Sequence, residues 1–174
     1  MKKWILLLST ACLLTAAEPL RRAPGFSLPD LKLQQHDLMD YRGQVVFIDF
    51  IQTSCPACLE LSSALEEVKA KFGEKVAVIT IVNPPDNQAT VARYIANKKI
   101  TATVLFDSGQ MTASYLRILP DNPVVHFPQL FLIDREGMIR AQITADGNPL
   151  EMESKALIEQ VEPLVQPAAK PKSK

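Results

Sequence analysis

The sequence predicts an α/β fold around a central mixed sheet flanked by helices, and three observations predict it. Two apolar, β-branched runs of strand length, Val45-Val46-Phe47-Ile48-Asp49-Phe50-Ile51 and Val76–Val82, have the character of strands buried on both faces of a sheet. Each is followed by a stretch with helical spacing, so the order begins β-α-β-α. A later pair of strand-like runs is joined by Arg135-Glu136-Gly137, a hairpin turn signal that brings in antiparallel pairing.

Taken in order, residues 1–17 carry Lys2 and Lys3, an apolar run from Trp4 to Leu14, and small residues at Thr15, Ala16 and Ala17. This is the layout of a secretory signal cleaved after Ala17, and the run is too short for a spanning helix. The alternative takes Ser9-Thr10-Ala11-Cys12 as a lipoprotein processing site that leaves the chain lipid-anchored through Cys12. Against it, Ser9 stands where Leu is expected and the apolar run continues past Cys12. Residues 18–23 read as a leader, and Gly25 to Leu31, rich in turn formers, as an extended arm.

The strand at 45–51 should be central. Pro56 suits the first turn of a helix, where a missing N–H costs nothing. Leu59, Leu61, Leu65, Val68 and Phe72 then recur at helical spacing as far as Gly73. The strand at 76–82 is followed by a helix over 89–98, a short strand over 103–107 and a short helical piece over 111–116. After the proline-punctuated loop from Leu119 to Val125 come strands over 129–134 and 138–144 and a closing helix over 150–165. Residues 24–165 form the domain, and 166–174 are a Pro/Ala/Lys tail that reads as disordered.

The content is 47% hydrophobic and the formal net charge is zero. The first figure is ample for a core, and the second lacks the basic excess of a nucleic-acid binder. Loss of residues 1–17 removes two lysines and no acid, which leaves a mildly acidic chain.

Cys55 and Cys58 form the only CxxC pair, at the predicted start of a helix. A zinc site would need a second ligand pair, and His36 and His126 are the only histidines. A purely structural bridge closing so short a loop restrains the unfolded chain little. A reactive dithiol fits the position. Unpaired helix N–H groups and the positive dipole end lower a thiol pKa from about 8.5 toward roughly 4–7.5. Cys58, one turn further on, can resolve a mixed disulfide formed at Cys55. Asp49, a lone acid in an apolar strand six residues before Cys55, is costly to bury and is therefore a candidate site residue. Glu60, Glu66 and Glu67 read as a solvated helix face.

Strand, CxxC and helix, then a late proline before the strand ending in Phe131-Leu132-Ile133-Asp134, resemble the thioredoxin-like proteins. The entry segment Ala23 to Leu31, followed by Asp40-Tyr41-Arg42-Gly43-Gln44-Val45-Val46, is similar to their exported TlpA/ResA-like branch, over about residues 23–165. The resemblance implies a thioredoxin fold with an N-terminal extension and an insertion. It implies Cys55 as nucleophile, Cys58 as resolving thiol, Asp49 as the buried carboxylate, and Pro128 as a cis proline facing the dithiol. A cis Phe127-Pro128 bond would leave the Phe127 backbone to pair with an incoming peptide, and Phe127, Pro56 and Ala57 are the candidate substrate contacts.

The implied activity is thiol-disulfide exchange without an organic cofactor, in a periplasmic or secreted enzyme. Its partners would be exported cysteine-containing proteins and a membrane or periplasmic electron donor, with cytochrome c maturation as one setting and no nucleic acid. Ser54, where relatives commonly carry Trp, and Ala57, where they often carry Pro, bear on potential and partner. One alternative is a Sco-like copper chaperone binding copper through Cys55, Cys58 and His126, although that family spaces its cysteines CxxxC. Another is a peroxiredoxin-type peroxidase, for which Gln52 and Ile48 stand in place of the expected Thr or Ser and Pro.

Overall fold

The computed structural model describes residues 21–119, 121, 124–144 and 146–166. The signal segment with Cys12, residues 18–20 of the leader, and 167–174 of the tail lie outside the described residues.

A two-stranded hairpin comes first, β1 (Ser27–Pro29) against β2 (Gln35–Asp37). Then follow β3 (Val45–Ile51), α1 (Pro56–Phe72), β4 (Val76–Val82), α2 (Gln88–Lys98), β5 (Thr103–Phe106), α3 (Gln110–Leu116), β6 (Gln129–Ile133), β7 (Ile139–Thr144) and α4 (Ser154–Val165). The main sheet is ordered β5-β4-β3-β6-β7. β3 runs parallel to β4 and antiparallel to β6, so the strand carrying Asp49 is the middle of a mixed sheet.

Side chains alternate across a strand, and this divides the core. Val46, Ile48 and Phe50 of β3 face one side, where Phe50, Tyr115 and Phe131 meet with ring centroids 5.2–5.9 Å apart. Val45 and Phe47 face the other side, against Leu61, Leu65 and Val68 of α1 and Leu157 and Val161 of α4. Each buried leucine contributes on the order of 2 kcal/mol. Asp49 shares the parity of Val45 and Phe47 and therefore lies on the α1 side.

Three elements differ from the sequence reading. The entry arm is half of a hairpin: Asp30 Oδ1 accepts from the N–H groups of Lys32 and Gln34 and folds the chain back, a local bond that a turn-rich composition does not disclose. The closing helix begins at Ser154, because Asn148 caps a separate 3-10 turn over Pro149–Met152. Residues 21–23, read as leader, are joined to the fold: Ala23 N–H donates to Gly137 O and Ile139 N–H to Arg21 O, both at 2.9 Å. Gly137 adopts φ 83° in that turn, a region costly for a residue with a Cβ.

Candidate active site

Cys55 is the N-cap of α1, and Pro56 occupies the first turn. The two cysteines are joined as a disulfide, Cα to Cα 5.2 Å. Cys55 Sγ accepts from the Cys58 N–H at 3.2 Å. Any anionic charge on this sulfur therefore meets an orphan helix donor and the positive end of the dipole. Cys55 is half-buried, Cys58 fully buried, and Pro56 and Ala57 are exposed beside them.

The turn before the pair is held from outside. Asp86 accepts from the Thr53 N–H at 2.8 Å, from the Thr53 hydroxyl, and from the Thr90 hydroxyl at 2.8 Å. One carboxylate thus ties the approach to Cys55 to the first turn of α2. Across the site, the Phe127-Pro128 bond is cis, and Cys55 Sγ lies 3.9 Å from Phe127 O.

Asp49 is fully buried, and neither oxygen has a hydrogen-bond partner among the described residues. Desolvation holds its carboxyl well above the ordinary carboxylate value. On the same side of the sheet, the Tyr94 hydroxyl donates to Ser62 Oγ at 2.8 Å, and Ser62 donates to the Cys58 carbonyl at 2.8 Å. Thr80, paired with Asp49 across β3 and β4, is also buried. Tyr94 is raised well above the usual phenol value, chiefly by burial and further by the nearby Asp49 charge. A buried polar cluster therefore lies on the dithiol's side of the sheet.

Of this cluster only Asp49 is singled out by the sequence; Ser62, Thr80, Tyr94 and, outside it, Asp86 are not. A threonine inside the apolar run 76–82 and a serine on the apolar stripe of α1 were the available signals. Glu66 is a correction. It accepts from Thr101 N–H at 2.8 Å, Thr101 Oγ1 at 2.6 Å and Ala102 N–H at 2.9 Å, so it clamps α1 to the entry of β5 and is not simply solvated.

His126 is exposed. Among the described residues, no group of three or more His, Cys, Asp or Glu side chains is gathered in the arrangement of a metal site.

An outer, accessible sulfur and an inner, buried one, one helical turn apart on this sheet, define a thioredoxin-fold thiol-disulfide oxidoreductase. The chain belongs to the AhpC/TSA family, whose model matches residues 19–142. It is 29% identical over 122 residues to the thiol-disulfide oxidoreductase ResA of Geobacillus kaustophilus, covering 70% of this chain and 67% of that one. To the thioredoxin-like protein YneN of Bacillus subtilis it is 25% identical over 137 residues, covering 78% and 76%. Among solved structures, a putative thiol:disulfide interchange protein DsbE from Chlorobium tepidum matches at TM-score 0.71 and 24% identity, over 87% of this chain and all of that one. A secreted Mycobacterium tuberculosis disulfide oxidoreductase matches at TM-score 0.60 and 18% identity, over 76% and 94%.

Proposed function

We propose that the protein reduces disulfides of exported cysteine-containing proteins by dithiol exchange at Cys55 and Cys58, with apocytochrome c cysteines before haem attachment as one substrate. The supporting observation is the asymmetry of the pair: Cys55 is the accessible, N-capped sulfur and Cys58 the buried one.

The Cys55 thiolate attacks one substrate sulfur, and the other substrate sulfur leaves as a thiolate. Cys58, once deprotonated, attacks Cys55 Sγ, which closes the Cys55–Cys58 disulfide and releases the second substrate thiolate. Two electrons pass to the substrate, and an external dithiol donor at the membrane or in the periplasm restores the pair. No organic cofactor enters these steps. Asp49, buried on the side of Cys58, accepts the proton that Cys58 loses. Phe127, Pro56 and Ala57 form the rim that meets the substrate. The signal-like layout of residues 1–17 supports export.

Peroxide reduction is not adopted, because Gln52 and Ile48 stand where the peroxidatic pattern wants Thr or Ser and Pro. The test is insulin disulfide reduction with added dithiothreitol. Wild type accelerates it, Cys55→Ser abolishes the acceleration, and Cys58→Ser accumulates mixed disulfides. Full activity in Cys55→Ser refutes the assignment. Equilibration of the couple against glutathione then decides between a reducing and an oxidising role.

A further inference from the structure

The residue after the site proline is a buried glutamine. Gln129 is 8% exposed at the start of β6, and its Nε2 donates to the His126 carbonyl at 2.8 Å. Its Oε1 accepts from Gln142 Nε2 of β7 at 3.3 Å. A polar side chain buried at this depth is costly unless bonded, and its donor is spent on the backbone two residues before Pro128.

That bond fixes a peptide plane. The His126-Phe127 bond is trans, so the Phe127 N–H points opposite to the His126 carbonyl that Gln129 holds. The next carbonyl, that of Phe127, lies 3.9 Å from Cys55 Sγ. Without Gln129 the His126-Phe127 plane could rotate, and the Phe127 backbone would have to be ordered during binding.

We propose that Gln129 is a positioning residue for polypeptide substrates, locking the His126-Phe127 peptide so that the Phe127 backbone meets the main chain flanking the target disulfide. This rests on the exchange reading above. A small disulfide that brings no peptide backbone makes no use of the lock, whereas a protein disulfide does. Gln129 acts through Phe127 and touches no reacting atom.

The experiment compares kcat and KM for insulin with those for hydroxyethyl disulfide in wild type, Gln129→Leu and Gln129→Glu. Leucine removes the donor, and glutamate keeps the size but turns an acceptor toward the His126 carbonyl. The expected result in both is a fall of about tenfold in the insulin to small-disulfide ratio of kcat/KM, carried by KM for insulin. If the leucine variant fails to fold, as judged by circular dichroism, the near-isosteric glutamate variant carries the comparison. An unchanged ratio, with both substrates affected equally or not at all, overturns the proposal. Wild type active on hydroxyethyl disulfide but not on any protein disulfide overturns the exchange reading instead, whatever Gln129 does.

Discussion

Tyr94 of α2 and Ser62 of α1 are joined by a 2.8 Å hydrogen bond in the interior, and the serine passes the contact on to the Cys58 carbonyl. The resolving cysteine's backbone is thus tied to a neighbouring helix. Tyr94→Phe should cost about 1 kcal/mol in urea denaturation, the usual worth of one buried bond. It should leave the first attack by Cys55 within about twofold, because Cys55 has its own donor in the Cys58 N–H. A tenfold loss of first attack would mean that the cluster sets the nucleophile directly.

Asp49 yields a prediction with a definite sign. Its folded-state pKa lies well above the ordinary value because burial penalises the charge. Its contribution to stability is therefore complete below the unfolded value of about 4 and is lost as pH rises through the folded pKa. Wild-type stability should decline over that window, and Asp49→Asn should remove the decline and gain about 1–3 kcal/mol above it. In stopped-flow exchange the same variant should slow resolution at Cys58 by about tenfold or more while sparing first attack. An unchanged pH profile and unchanged rates would refute the proton-handling role.

Glu66 and its neighbour Glu67 separate a structural acid from a solvated one. Glu66→Ala loses three bonds to 101–102 and should cost about 1–3 kcal/mol. Glu67→Ala, at an exposed position, should stay within about 0.5 kcal/mol. Equal effects in thermal melts would show that the clamp is not formed in solution.

His126 offers its backbone, not its ring, to the site: its carbonyl is held by Gln129 while the imidazole is exposed. His126→Ala keeps that carbonyl and should keep insulin reduction within about twofold. Reduced wild type should bind Cu(II) weakly, without an intense thiolate charge-transfer band. A tight stoichiometric complex lost in His126→Ala would favour copper delivery.

What the sequence disclosed follows from which forces are local. The strands at 45–51 and 76–82, the helix after Cys55 and the hairpin at Gly137 were legible because apolar period, Pro at a helix start and Gly in a turn act over a few residues. Cys55, Cys58 and Asp49 were legible as chemistry out of place in their surroundings. Glu66 was not, because its partners at 101 and 102 lie 35 and 36 positions away and nothing in α1 announces them. Gln129 and Asp86 escaped for the same reason: a polar residue in a loop or at a strand end looks solvated until the fold supplies a buried acceptor or donor.

The N-terminal segment crosses one face of the sheet from edge to edge: Arg22 bridges Met138 beside β7, Ala23 and Phe26 enter the aromatic core, and Asp30 bridges Leu105 of β5. Arg22 also reaches the Glu136 carbonyl, 114 positions along the chain. The seam at 137–139 therefore joins residues more than a hundred positions apart in the chain. So long-range a closure is slow to search for. The β7 edge is sealed only when residues 21–23 meet a turn and strand formed near the other end of the fold.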